Sequence, residues 1–172
     1  MNYLVTILRL LHIVGGIFWV GAALMLTFFI SPTAAATYEA GQKFLAHMMQ
    51  RTAFNKAILI SASVSVLAGM TLYLIDSNFL RSLWMHSGPG IGFGLGGFFG
   101  IIGFIIGVVQ NRRSHALAQL GRIIQSQSGP PNQEQRDKLV SLQTRLKTGG
   151  IWNAIFLLLA AIMMSTARFL VF

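Results

Sequence analysis

The sequence predicts an all-α fold, an integral membrane four-helix bundle, and three observations carry that prediction. Apolar runs recur at about residues 4–30, 53–75, 91–109 and 150–170. Each is close to the ~20 residues that cross ~30 Å of hydrocarbon. Charged residues make up only 10% of the chain against 54% hydrophobic, with a mean hydropathy of +0.65. A soluble domain carries about 25% charged residues, so this chain lacks the polar surface to cover a globule. The basic residues, finally, gather in the segments between the runs. Backbone polar groups in lipid must find partners within their own segment, so the runs are read as helices. One transmembrane domain, residues 1–172, accounts for the whole length.

Charge sets the orientation. Arg112, Arg113, Arg122, Arg136, Lys138, Arg145 and Lys147 lie between the third and fourth spans. Lys43 and Arg51 lie in the first loop, with Lys56 just inside span two, whereas the middle loop has only Arg81 near Asp76. The positive-inside rule then places the first and third loops in the cytoplasm and both termini outside, as in a multi-pass protein of the bacterial inner membrane. The net charge of +9 is accounted for by topology and anionic lipid, so the expected partner is the lipid bilayer and no nucleic acid. The chain has no cysteine, which excludes disulfides, thiolate metal sites, cysteine-ligated iron–sulfur clusters and covalent c-type haem. The N-terminus lacks a basic n-region and its apolar run is too long for a cleavable signal, so span one is expected to remain in the protein.

Taken in order, span one is expected to end at Ser31-Pro32. Residues 33–50 mix Tyr38, Phe44, Leu45, Met48 and Met49 with polar positions, the pattern of an amphipathic helix lying at the inner interface. Span two carries a small-residue stripe, Ser61, Ser65 and Gly69, and ends at Asp76-Ser77-Asn78. In span three Gly92, Gly96, Gly100, Gly103 and Gly107 fall on one face, where a neighbouring helix can approach closely. That face suits packing within the bundle; the alternative is a seam for a homo-oligomer or a larger membrane complex. The same glycines are a weak phosphate motif, since no strand–turn–helix context surrounds them. Beyond Asn111-Arg112-Arg113, Leu117, Leu120, Ile123 and Ile124 recur at helical spacing, Gly129-Pro130-Pro131 makes a turn, and Leu139, Leu142 and Leu146 recur on the return. Residues 112–147 are therefore expected to form a cytoplasmic helical hairpin continuous with spans three and four. In span four Asn153 shares a face with Leu157, Ala160, Ala161, Met164 and Arg168, and is expected to make an interhelical hydrogen bond.

The residue that invites chemistry is His12, inside span one, with Arg9 one turn before it. Ionisable groups at membrane depth cost a few kcal/mol on insertion scales and mark buried polar sites or ion and proton paths. Helix phase puts His12 with Gly15, Gly16, Trp19, Ala22, Ala23 and Thr27, so it is expected to point into the bundle. Either it hydrogen-bonds a neighbouring helix or it serves as a ligand or proton carrier. Met70, Met163 and Met164 reach similar depths, and histidine with thioethers suits copper(I). Haem b needs an axial ligand, usually histidine. His47 and His115 fall on the cytoplasmic side, so only His86, in the outer loop, is placed to approach His12 within one chain, which leaves a single-histidine haem, a His12/His86 pair or two copies of His12 across a dimer. Arg9 and Arg168 are the candidate partners for haem propionates, or for lipid phosphate. No nucleophile–base pair or carboxylate pair appears. The acidic residues Glu39, Asp76, Glu134 and Asp137 all lie outside the spans, which argues against a cation-coupled transporter built on membrane carboxylates.

The stretch Leu11-His12-Ile13-Val14-Gly15-Gly16-Ile17-Phe18-Trp19-Val20-Gly21-Ala22 resembles the LH…WVG first helix of a set of bacterial membrane proteins. That set includes the copper-resistance protein D group and the HemJ-type protoporphyrinogen oxidases. Ser31-Pro32-Thr33, the glycine-rich third span, the Gly-Pro-Pro turn and Ala167-Arg168 bring the layout closer to a group of integral membrane proteins related to that set. The resemblance implies a four-helix membrane bundle, a haem or copper connection, and His12 as the position to carry over. The sequence departs from the HemJ-type pattern in lacking an intramembrane lysine in spans three and four.

Overall fold

The computed structural model describes residues 3–127 and 129–171, and among them there is no strand. The helices are α1 (Tyr3–Met25), α2 (Ser31–Ala36), α3 (Tyr38–Arg51), α4 (Phe54–Asp76), α5 (Gly88–Ser126) and α6 (Gln133–Thr166). Four stretches are long and apolar enough to cross a membrane: Tyr3–Ala36, Phe54–Asp76, Gly88–Ser126 and Gln133–Phe169. The protein is thus an all-α, multi-pass membrane bundle.

Ser31-Pro32 does not stop the first helix, contrary to expectation. The chain passes from α1 through a π-helical turn, Leu26–Ile30, directly into α2. Proline has no N–H to donate and its ring crowds the preceding turn. The wider turn takes up that defect: the Ser31 N–H reaches back to the Leu26 carbonyl, five residues away. The first helical rod therefore ends at Ala36. Thr37 and Tyr38, the latter at φ 47°, then turn the chain into α3, the amphipathic helix expected there. Gly41 closes this elbow, because a side chain at that position would run into the Ala34 carbonyl and the Thr37 hydroxyl.

The bundle consists of two intimate antiparallel pairs. In the first, α1 lies on α4: Gly15 and Gly16 meet Ser61 and Ser65, and His12 meets Gly69. In the second, α5 lies on α6, with Gly92 against Ala167, Gly96 against Met164 and Ala160, and Gly103 against Leu157. The pairs meet where Trp19, Ala23, Ala62 and Leu157 form the core, with Phe104 edge-on to Trp19 at 6.2 Å. Thr27, in the π-turn, donates across to the Gly150 carbonyl at 3.4 Å.

The hairpin is present as expected. Helices α5 and α6 run without a break beyond the apolar spans, bridged by Gln110 Nε2 donating to the Leu146 carbonyl (2.7 Å) and Arg113 to the Arg145 carbonyl (3.3 Å). Near the tip Gln127 and Gln135 exchange side-chain hydrogen bonds, and α6 starts on a capping box formed by Asn132 and Gln135. At the opposite end of the bundle, residues 77–87 join α4 to α5. Asn78, Phe79 and Leu80 there have φ of 48°, 54° and 66°. Ser77, fully buried, holds this left-handed turn: its carbonyl accepts from the Arg81 and Ser82 N–H groups and its hydroxyl from Leu80 N–H.

In the α5–α6 pair one expectation holds and one fails. The glycine face of α5 packs within the bundle as expected, with α6 lying against Gly92, Gly96 and Gly103. Asn153 is buried in the seam, yet its Oδ1 has no hydrogen-bond partner, and a side chain at Gly103 would approach that oxygen at 3.6 Å. The α5 position opposite the amide is a glycine, which has no side chain to pair with it.

Candidate functional site

The site is the α1–α4 seam around His12. Span one places glycines one turn below the histidine, so α4 comes close, and Gly69 leaves a notch into which the imidazole fits. A Cβ at Gly69 would sit 2.7 Å from His12 Nδ1 and Cε1, but 3.6 Å from Nε2. His12 Nδ1 lies 2.8 Å from the Ser65 carbonyl. A carbonyl only accepts, so Nδ1 is the nitrogen that carries the proton in this hydrogen bond. The Ser65 hydroxyl in turn donates to the His12 carbonyl at 2.9 Å, and its oxygen lies 3.4 Å from Nδ1. The result is a reciprocal clasp between two helices. In the neutral ring it leaves the lone pair on Nε2, the nitrogen farther from the α4 backbone. A histidine whose second nitrogen is fixed by a carbonyl has its tautomer and ring plane set in advance, the arrangement that metal-binding histidines use.

The face predicted around His12 is the inner one: Trp19 and Ala23 are buried, and His12, Gly15, Gly16, Ala22 and Thr27 are half-buried. The other candidate ligands are not gathered there. Met70 follows Gly69 on α4 but is exposed, on the bilayer side. Met164 has its Cγ against Gly96 in the α5–α6 seam, and Met163 is half-buried beside it on α6. Of the His12, Met70, Met163 and Met164 set, Met70 is thus exposed and Met164 fills a notch in the second helix pair. His86 is exposed in the short 3₁₀ turn Leu83–His86, and Arg168 is exposed in another, Ala167–Phe169, both at the end of the bundle nearer His12. Arg9, also exposed, stands three residues before His12 on α1. Trp84 is half-buried, tilted on Tyr73 (5.6 Å) and stacked on Phe93 (6.4 Å). Among the described residues no three histidine, cysteine or acidic side chains come together as a metal site.

Sequence reasoning found His12 and the Ser61/Ser65/Gly69 stripe separately and did not join them. The signal was present, since two small-residue faces of antiparallel neighbours are natural mates. It also missed a polar cluster at the hairpin end of the spans. There Asn55 Nδ2 donates to Asn111 Oδ1 at 2.7 Å and lies 3.4 Å from His115 Nε2, tying α4 to α5. On α3, Lys43 pairs with Glu39 at 2.6 Å, and the hydrogen bond from its ammonium, aided by the charge, holds the Glu39 carboxyl below its ordinary range.

The fold and seam define a class, the multi-pass α-helical membrane bundle with one clasped histidine in the span. Beyond that class no family model, curated protein or solved structure matches the chain.

Proposed function

We propose that this is a protein of the bacterial inner membrane in which His12, through Nε2, would hold haem b. The observation behind this reading is the 2.8 Å hydrogen bond from His12 Nδ1 to the Ser65 carbonyl, which leaves the Nε2 lone pair available to a ligand. The donor set would suit haem better than copper(I), because Met70 is exposed and Met164 packs against Gly96. Arg9 shares the His12 face of α1 at the favourable i, i+3 spacing, which suits a propionate. Arg168 and His86 lie at the same end, and Arg168 would supply a second cation. Bound haem would supply one-electron chemistry; the chain's own part is to orient the imidazole and to present cations to the propionates. The LH…WVG resemblance and the positive-inside orientation, with His12 in the outer half of the membrane, agree with a redox or cofactor-handling role.

The visible spectrum and metal content of the protein purified in mild detergent test this. A Soret band with about one haem per chain is expected, lost in His12→Ala while helix content and elution volume are kept. A colourless, metal-free protein overturns the reading.

A second reading, an accessory subunit of a larger membrane complex, is favoured by one observation. The hairpin formed by α5 and α6 extends well past the apolar spans and exposes Ile123 (56%) and Val140 (62%) away from the bundle. Co-purification of stoichiometric partners, abolished by Ile123→Glu with Val140→Glu, would establish it.

A further inference from the structure

The elbow between the first rod and α3 carries an open groove of about 440 Å³, walled by Phe29, Ile30, Ala34, Ala40 and Phe44. The Thr37 hydroxyl is already committed, since it donates to the Thr33 carbonyl at 2.9 Å. The groove thus offers hydrocarbon and almost no polar contact. One turn further along α3, a shallower concavity of about 220 Å³ is lined by Lys43, His47 and Arg51 with Gln50. Lys43, His47 and Arg51 recur at i, i+4 and i+8, so they form one stripe. Glu39 pairs with Lys43 at the groove end of this stripe, and among the described residues His47 and Arg51 make no ion pair.

An apolar trough followed on the same helix by a cationic dish, with about 10 Å of helix from Phe44 to Arg51, matches an amphiphile with a negative head. The elbow also stands where the apolar run of the first rod gives way to the polar end of the bundle, the depth at which lipid headgroups lie. We propose that the elbow binds one anionic phospholipid, with an acyl chain in the Phe29–Phe44 groove and its phosphate at His47 and Arg51. Charge complementarity selects this occupant: a zwitterionic lipid fills the groove equally well but carries its own cation to the basic stripe. Glu39 opposes the headgroup from the other end, so its charge tunes the affinity downward.

The test uses the full chain in a neutral detergent, with dioleoyl phosphatidylglycerol, dioleoyl phosphatidylcholine and inorganic phosphate as probes. Thermal unfolding and native mass spectrometry are the readouts. Phosphatidylglycerol is expected to raise the midpoint and to remain bound one per chain, whereas phosphatidylcholine and phosphate do neither. Both His47 and Arg51 are exposed, so the double variant His47→Gln/Arg51→Gln should fold and should weaken phosphatidylglycerol binding at least tenfold. Ala40→Trp, which fills the groove, should do the same, and Glu39→Gln should strengthen binding. Equal responses to the two lipids, full binding by the double variant, or stabilisation by phosphate alone would each overturn the proposal. Since Glu39→Gln is expected to act in the opposite direction, a general loss of folding cannot imitate the pattern.

Discussion

His12 shows how one residue acquires a role from its neighbours. Two hydrogen bonds tie it to Ser65, each worth about 0.6 kcal/mol on average between membrane helices. The larger constraint is steric, because the ring fills the space a side chain at Gly69 would need. Gly69→Ala should therefore push the imidazole out of its notch and destabilise the bundle by about 1–3 kcal/mol. Unfolding of the purified protein in a denaturing detergent mixture would measure this, and an unchanged midpoint would refute the notch. Asn153 is the opposite case. Its buried Oδ1 lacks a partner, and an unmet acceptor costs about 1–3 kcal/mol. Asn153→Leu, similar in volume, should accordingly leave stability unchanged or raise it by about 1 kcal/mol in the same assay. A loss of more than 1 kcal/mol would mean that the amide has a partner in the bilayer. The sequence made both residues conspicuous as polar groups in apolar spans. It did not show that one is paired and the other is not, because that depends on which atoms of a second helix lie within 3 Å.

At the level of elements, the glycines of α5 separate into working and idle positions. A Cβ at Gly96 would meet Met164 Cγ at 2.6 Å and one at Gly103 would meet Leu157 Cδ2 at 2.7 Å, whereas nothing lies within 4 Å at Gly97 or Gly107. Gly96→Leu and Gly103→Leu should wedge α5 from α6 and lower stability by at least about 2 kcal/mol, since overpacking a close contact costs about 1–3 kcal/mol or more. Gly97→Ala and Gly107→Ala should be neutral or gain up to ~1 kcal/mol from better helix propensity. Equal losses at all four positions would show that the face is not used in this register. The 4-4-3-4 spacing revealed a face but not its length of use, and Gly107 belongs to the pattern without belonging to the contact. The first rod carries a similar lesson. Ser31-Pro32 reads as a stop, yet five π-helical residues let the helix continue to Ala36, because a proline's missing hydrogen bond can be absorbed in the preceding turn.

For the whole molecule, pairing α1 with α4 and α5 with α6 leaves the start of α1, the end of α6 and the 77–87 loop at one end of the bundle and α3 and the hairpin at the other. The basic residues concentrate at the hairpin end, so that end should face the cytoplasm. The chain has no native cysteine, so Gly129→Cys gives a clean test. In intact cells a membrane-impermeant maleimide should label it only after permeabilisation of the inner membrane. Labelling without permeabilisation would invert the topology and place His12 in the inner half of the bilayer.

Hydropathy and charge, which are sums over local composition, were enough to determine a four-span α-helical membrane protein, its expected orientation and the amphipathic α3. Helix phase was enough to turn His12 inward, because 3.6-residue geometry is a property of one segment alone. What that inward face meets is a property of two segments. Only the tertiary structure decided that Ser65 and Gly69 receive the imidazole, that α6 meets the glycine face at Gly92, Gly96 and Gly103, and that Met164 packs against Gly96. Each of these turns on the register of one helix against another, which is fixed by close contacts that no single helix encodes.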